Sequence, residues 1–388
     1  MTTPITLKER PMRIPLIPVL AFAAVAASAI GLTSCSSSDG GDRAASDSTE
    51  VVMFSPTSSH PYLAAAIAGA TEQLEADGYT LTAVENNFDQ TEQDTQVQQY
   101  LASGEKPAGI IWWPADSSAG IASLSRLHQL GVPIVQMNQT PLPESEEYFT
   151  AYAGVNDTLN GQVGGQLAIS ARDTLLEDGF TLHSDGGNVL QVTGPPSYAA
   201  TTNRLAGFAN STADAGFNVV GTLNADSLTP DAAYNVVAQS LQGFLAKGVD
   251  IVYGLDDNLA AGAAKALAEA GVQPGKDVAV VSSTCYDLAK NTVDGTFFAT
   301  GLTSPDYEGL IAASTLATLI GNGGTTDGDE YEFPADPDSL PDLERTPAKY
   351  NYLPNPPITG AFDDPATAAT NVASFKLWGQ GIDQLCNF

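Results

Sequence analysis

The sequence has 388 residues, a formal net charge of -30 and 43% hydrophobic residues. That length supplies a sizeable core and room for two lobes. A surface this acidic repels nucleic acid and anionic lipid, which argues against a transcription factor and keeps the chain soluble.

At the N-terminus, Lys8, Arg10 and Arg13 lead into an apolar run over 14–32, interrupted by Pro15 and Pro18. A charged start, an apolar middle and small residues before a cleavage point describe a secretion signal. The run ends in Leu32-Thr33-Ser34-Cys35, which resembles the bacterial lipobox. The resemblance implies a lipoprotein signal peptide over 1–34 and a lipid carried on Cys35. A retained transmembrane helix is the competing reading, since the run is nearly long enough to span a bilayer. The cysteine at the cleavage point favours the lipobox. Residues 36–50 (SSSDGGDRAASDSTE) offer almost nothing apolar. With Cys35 they form a lipidated flexible tether over 35–50, which holds a folded domain clear of the membrane.

From residue 51 the pattern alternates. Strands are expected at 51–55, 80–85, 108–112 and 133–137, with helices at 61–76, 92–101 and 120–130. The rhythm then repeats. Strands at 188–193, 218–223, 250–254, 277–283 and 296–302 alternate with helices at 199–214, 232–246 and 259–270, and a helix over 308–320 follows. Alternation of this kind implies an α/β chain with parallel sheets and helices on both faces. Two successive runs imply two doubly wound lobes joined by hinges. Ligands of open α/β sheets bind beyond the carboxyl ends of the strands, so the cleft between the lobes is the place to look. After residue 320 the pattern fades. Residues 321–328 are loop-like, 329–357 are rich in Pro and acid, and a short helix is expected over 367–377.

The chain contains three cysteines. With Cys35 taken by lipid and the compartment oxidising, Cys285 and Cys386 are expected to pair as a disulfide. His60, His128 and His183 stand alone, so no metal-ligand spacing exists and neither a metal nor a cofactor is expected. An enzyme of this class would need a nucleophile elbow, a P-loop or a Gly-x-Gly-x-x-Gly turn. Gly161-Gln162-Val163-Gly164-Gly165 has none of these spacings. No catalytic residues are assigned, and the chain is read as not an enzyme. No helix-turn-helix precedes Val51.

Six segments, in order, resemble the type I periplasmic binding proteins of the ribose-binding kind. They are 54–62 (FSPTSSHPY), 109–117 (GIIWWPADS), 131–135 (GVPIV), 152–157 (YAGVND), 204–208 (RLAGF) and 254–257 (GLDD). The likeness runs from about residue 51 to 320. It implies an N-terminal lobe from 51–157 with about 303–325 and a C-terminal lobe over 158–302. Residues 326–388 are left as an extension packing on the lobes at the hinge side. It also implies a ligand cleft. His60 and Tyr62 fall where the family uses a polar residue and a ring-stacking aromatic. Asn138 and Gln139 fall where sugar binders commonly have Asp and Arg, and Thr202 where they often have a second Arg. Asp256 matches an Asn or Asp at a second-lobe strand end. Thr284 replaces a common Asp, and Thr303 a common Gln.

The residues themselves refine this set. Trp112 and Trp113 are adjacent in a strand and point to opposite faces, so Trp113, nearer the loop, is the one expected in the cleft. Phe88 reads as rim packing, Arg204 as a structural ion pair, Asn156 and Asp157 as cap and hinge, and Asp257 as the cap of the following helix. Neutral Asn, Gln and Thr donate and accept hydrogen bonds, which suits a sugar, polyol or cyclitol. With Asp256 and Asp257 as the charges of the cleft, a cationic ligand is compatible and an anionic one is not.

The resemblance implies an extracytoplasmic solute-binding lipoprotein, a monomer on the outer face of the cytoplasmic membrane. It would pass its ligand to an ABC importer permease. A receptor presenting the same solute to a membrane sensor protein is the alternative. The anchor is directly testable. The full-length chain expressed in a bacterial host is expected to fractionate with membrane, and Cys35→Ala to release or mislocalise it. A mature chain that begins elsewhere than Cys35 and carries no lipid, by mass spectrometry, would contradict this.

Overall fold

The computed structural model describes residues 48–196 and 198–388. The expected signal peptide, the lipidated Cys35 and nearly all of the tether lie outside the described residues. The first run comprises β1 (Glu50–Pro56), α1 (Pro61–Ala76), β2 (Thr80–Asn86), α2 (Gln90–Ser103), β3 (Gly109–Trp112), α3 (Ile121–His128), β4 (Ile134–Met137) and β5 (Ala151–Gly154). The second comprises α4 (Asp157–Glu177), β6 (Asn188–Thr193), α5 (Ala199–Ser211), β7 (Asn218–Asn224), α6 (Pro230–Leu245), β8 (Ile251–Gly254), α7 (Asp257–Glu269), β9 (Ala279–Val281), α8 (Lys290–Val293) and β10 (Ala299–Gly301). Then follow α9 (Pro305–Gly321), β11 (Glu330–Glu332), β12 (Tyr350–Tyr352), β13 (Pro357–Thr359), α10 (Pro365–Ser374), β14 (Lys376–Leu377), β15 (Gln380–Gly381) and α11 (Ile382–Leu385).

Two sheets result. The first has the order β11-β12-β5-β4-β3-β1-β2 and is parallel throughout. The second has the order β13-β10-β9-β8-β6-β7 and is parallel except for β13, which runs antiparallel to β10. Inner strands are apolar on both faces because helices cover both faces. In β1, Val51 and Met53 join one core cluster while Val52 and Phe54 join the other. Trp112 packs with Phe54 and Tyr152, and Trp113 packs on the opposite face with Tyr62, as the alternation of a strand requires. The edge strands β2 and β7 are polar and partly exposed.

Two close helix crossings, one in each lobe, rest on reciprocal glycines; a third, of α7 on α6, sets Gly262 against the carbonyl of Pro230. Cβ atoms at Gly161 in α4 and Gly207 in α5 would overlap the carbonyls of Arg204 and Thr158. Gly69 in α1 and Gly309 in α9 show the same reciprocity, against the carbonyls of Asp306 and Ala66. The first crossing seats α5 on α4, and with it Arg204. The second fastens α9 to α1 in the first lobe, although α9 follows the second run in sequence.

The backbone passes between the sheets three times: from β5 to α4, from β10 to α9 and from β12 to β13. These crossings are bonded to each other. Leu353 N donates to Gly154 O at 2.9 Å, and Leu302 N to Pro356 O at 2.9 Å. The Asn355 amide donates to Thr303 Oγ1 at 3.0 Å and to Ser283 O at 3.1 Å. Residues 326–388 therefore do more than lie on the lobes. They supply β11 and β12 to the first sheet, the third crossing, and β13 to the second. Beyond α10, Trp378 packs edge-on against Tyr307 at 4.6 Å and donates from Nε1 to Pro334 O at 2.8 Å. The chain then brings Cys386 against Cys285, with Cα atoms 5.9 Å apart, inside the span a disulfide requires.

One expected helix cap moves by a residue. The cap of α7 is Asp256, whose side chain accepts from Leu259 N, and Asp257 is the first helical residue. Asp256 is extended, as a cap must be, whereas Asp257 already turns with the helix.

The glycine crossings yield a prediction. Gly161→Ala and Gly309→Ala each force two backbones apart and are expected to cost about 1–3 kcal/mol, read as a lower urea midpoint. Unchanged midpoints would show that the crossings tolerate a methyl group.

Candidate functional site

A cavity of about 850 Å³ lies between the lobes, at the carboxyl ends of both sets of strands. His60, Tyr62, Trp113, Asn138 and Gln139 line it from the first lobe, and Thr202, Asp256 and Thr284 from the second. Thr303 lines it from the second crossing. All nine sequence-expected positions therefore face one space.

The first-lobe wall is built on short turns after β1, β3 and β4. His60 precedes α1 with extended backbone and makes no side-chain cap. Its Nδ1 is buried and makes no hydrogen bond among the described residues. Burial lowers the pKa of His60, which favours the neutral imidazole. The Tyr62 ring stands edge-on to Trp113 at 6.2 Å. Phe88 is 55% exposed at the rim, with its ring 6.3 Å from that of His60. Asn138 holds φ at 61°, a left-handed value that is costly for a residue with a side chain. That turn aims its amide at Glu308 Oε2, 3.0 Å away. Gln139 Oε1 accepts from Ser117 Oγ at 2.6 Å, and this fixes which end of the amide is free.

Beneath this wall lies Glu308, which sequence reasoning missed. Its carboxylate accepts from Tyr62 Oη at 2.9 Å, from Asn138 Nδ2 at 3.0 Å and from Val155 N at 3.4 Å. Burial pushes its pKa up to about 7, while the hydrogen bonds from Asn138, Tyr62 and Val155 restrain the rise. A Cβ at Gly154 would crowd Asn138 N and Glu308 Oε1, both 2.8 Å away. The first crossing thus has no spare volume where it meets the cavity floor.

The second-lobe wall is organised by Arg204. Its Nε donates to Asp157 Oδ1 at 2.9 Å, and its Nη1 to Leu255 O at 3.1 Å and Thr284 Oγ1 at 3.0 Å. Burial acts to lower its pKa, but the Asp157 carboxylate, its hydrogen bond, and the nearby Tyr253 and Tyr198 together raise it. Arg204 is thus an ion pair, as expected from sequence, and also part of the cavity wall. Its bond to Thr284 occupies an oxygen lone pair and leaves the hydroxyl proton to point at a ligand. Thr202, two residues before Arg204 on α5, stands exposed and donates to Ala199 O at 3.0 Å.

The charges differ from the sequence expectation. Asp257 does not face the cavity. It accepts from Thr300 Oγ1 at 2.6 Å, from Ser282 Oγ and from Tyr286 N at 3.3 Å, tying the ends of β9 and β10 together. Adjacent residues at a helix start point about 100° apart, and here Asp256 faces the cleft while Asp257 turns away from it. The charged residues on the wall are Asp116, Asp157, Arg204 and Asp256. Asp157 is committed to Arg204, and the exposed-loop Asp116 accepts from Ser118 N and Ala119 N, which leaves Asp256 as the buried acidic acceptor. Burial pushes Asp256 up to about 6 and Asp257 up to about 7.

The wall also includes Tyr198 and Tyr286, which sequence reasoning did not single out. Both follow strand ends in the second lobe. An inspection of every aromatic residue just beyond a strand would have found them.

The comparisons with known proteins agree with this architecture. The profile of the periplasmic binding protein domain family matches residues 51–324. Ribose import binding protein RbsB of Escherichia coli (strain K12) is 23% identical over 271 residues, covering 70% of this chain and 84% of that protein. The arabinose ABC transporter binding component of Shewanella sp. ANA-3, solved with alpha and beta-L-arabinofuranose, has a TM-score of 0.64 at 21% identity. It covers 82% of this chain and 93% of its own. The Caulobacter myo-inositol binding protein, solved with myo-inositol, has a TM-score of 0.62 at 17% identity, covering 85% of this chain and 99% of its own.

The raised carboxyl pKa values make stability depend on pH. Asp256, Asp257 and Glu308 rise to about 6, 7 and 7 from 3.8, 3.8 and 4.5. Between the two sets of values the folded chain holds protons that the unfolded chain has released. Stability therefore falls as pH rises through this window, and the full cost stands above the folded values. Thermal melts across about pH 5 to 8 are expected to show Tm decreasing with pH. Glu308→Gln, which keeps an acceptor for Tyr62 and Asn138 but has no charge to bury, is expected to flatten that slope. The same slope in the variant would contradict the assignment.

Proposed function

The chain belongs to the periplasmic binding protein family, and from that premise we propose that it captures a small neutral polyhydroxylated ligand for an ABC importer. The ligand class is sugar, polyol or cyclitol. The family's members are extracytoplasmic binding proteins. In this reading the chain is a monomer held by lipid on Cys35 at the outer face of the cytoplasmic membrane, and it binds without catalysing. The observation that carries the reading is a two-sided cavity lined by aromatic rings and hydrogen-bonding groups, with its one arginine already paired to Asp157.

Tyr62 and Trp113 offer faces or edges for the C–H side of a ring, and polar groups then fix its orientation. Asn138, Gln139 and His60 meet hydroxyls from the first lobe. Asp256 accepts one from the second lobe, Thr284 donates to it, and Thr303 does either at the crossing. Ligand bridges the lobes only when they are closed, so it shifts the population toward closure. The relatives support the ligand class: one is a ribose import binding protein, and two others were solved with arabinofuranose and with myo-inositol.

Calorimetry of the chain from Ser36 onward, against sugars, polyols, nucleosides, small amines and anionic metabolites, tests the proposal. A neutral polyhydroxylated compound is expected to bind best, and preference for an anionic metabolite would contradict the charge argument. Asp256→Ala is expected to cost about 1–3 kcal/mol of affinity by leaving a buried hydroxyl unpaired. Because the acceptor is the ionised carboxylate, affinity should fall as pH drops through about 6, and Asp256→Asn should remove that dependence. Unchanged affinity in Asp256→Ala and Tyr62→Ala would show that the ligand sits elsewhere.

The reading also includes a Cys285–Cys386 disulfide, supported by an oxidising compartment and by the placement of the two sulfurs together. Thiol titration of the denatured, oxidised chain lacking Cys35 is expected to find no free thiol, and two per chain would refute the bond.

A further inference from the structure

Four rings run in series, three of them lining the cavity. Tyr62 meets Trp113 at 6.2 Å and Phe388 at 5.4 Å, and Phe388 meets Tyr286 at 5.0 Å. All three contacts are edge-on, the arrangement that ring quadrupoles favour. Trp113, Tyr62 and Tyr286 line the cavity, and Phe388 stands behind the two tyrosines rather than on the wall. Tyr62 starts α1 in the first lobe, whereas Tyr286 follows β9 in the second. Phe388 therefore touches both lobes at once.

The chain invests several contacts in holding Phe388 there. Cys386 lies two residues before it and is placed against Cys285, the neighbour of Tyr286. Leu288 N donates to Cys386 O at 2.9 Å. The loop gripped in this way is strained: Asp287, Leu288 and Ala289 have φ of 47°, 59° and 52°. Residues with a Cβ stay in that left-handed region only where their surroundings enforce it. The loop begins immediately after Tyr286, so whatever holds it also sets the direction of that ring. The Tyr62 hydroxyl is fixed at one end by Glu308. Its ring plane needs a second contact, and Phe388 supplies one.

We propose that Phe388 is a positioning residue of the ligand site, setting the Tyr62 and Tyr286 rings of opposite lobes at the spacing that receives the ligand. The effect on affinity rests on the proposed function, while the effect on the two tyrosine segments does not. Phe388→Ala is expected to weaken ligand binding roughly tenfold, the scale of two lost ring contacts, and Phe388→Tyr to retain it.

The test uses full-length chain and two readouts. Hydrogen–deuterium exchange follows the segments 60–66 and 284–290, and calorimetry follows D-ribose, L-arabinose and myo-inositol. Phe388→Ala is expected to accelerate exchange in those two segments alone, with Tm little changed, and to weaken whichever of the three compounds the wild type binds. Phe388→Tyr should restore both readouts. The paired change Cys285→Ser with Cys386→Ser should accelerate exchange in the same two segments while keeping the ring, with a lower Tm from loss of the cross-link. Unaltered exchange in the two segments overturns the proposal. So does faster exchange throughout the chain with a lowered Tm, which would mark a merely structural residue. Local acceleration with unchanged affinity overturns it too. If the wild type binds none of the three compounds, that bears on the ligand reading alone, and the exchange pattern with its Phe388→Tyr rescue decides the positioning role.

Discussion

The carboxylate of Glu308 joins three parts of the chain that lie far apart in sequence. It accepts from Tyr62 at the start of α1, from Asn138 beyond β4 and from the backbone of Val155 in the first crossing. Glu308 itself sits in the first turn of α9, just past the second crossing. One buried group thus ties the cavity floor to two of the three connections between lobes. Burial makes its charge expensive, and no cation among the described residues bonds to it. The three donors are what make the site tolerable, and they fix the orientation of two cavity side chains in return. The left-handed backbone of Asn138 and the glycine at 154 are local concessions to the same junction.

Charge elsewhere in the cavity is arranged to be quiet. Arg204 is the one arginine on the wall, and Asp157, Leu255 and Thr284 take its donors. A guanidinium held in this way orients its neighbours more than it attracts anions. The buried acidic acceptor, Asp256, spends one oxygen on capping α7. What remains for a ligand is a set of hydroxyl and amide groups between aromatic rings. Such a set distinguishes hydroxyl geometry better than charge, because a missing hydroxyl leaves a buried partner unpaired. The overall acidity of the chain then belongs to its outer surface and its solubility.

Much of this was legible in the sequence because strands and helices of a doubly wound lobe have strong, local patterns. Buried strands such as 51–55 read as apolar runs, and the residues just beyond each strand could be named before their neighbours were known. The Trp112–Trp113 pair illustrates the strength of the method, since period-two alternation alone assigns one ring to each face. The failures share a physical cause. Glu308 looks like an ordinary acidic residue in a first helical turn, and only long-range folding buries it. Asp256 and Asp257 are adjacent and identical, so their roles depend on a single residue of helix phase. The strands β11, β12 and β13 have three residues each, too short for any period, and their pairing partners are distant in sequence. Phe388 carries no local signal at all, because its position follows from the sulfur placed two residues earlier.

The central claim is that ligand is held by both lobes at once, in the space above Glu308 and beside Asp256. A crystal structure of the chain with its tightest-binding compound tests this most directly. The account predicts density for one compact ligand that contacts Tyr62 or Asn138 on one side and Asp256 or Thr284 on the other. Density confined to one lobe, or found outside the cavity, would contradict it.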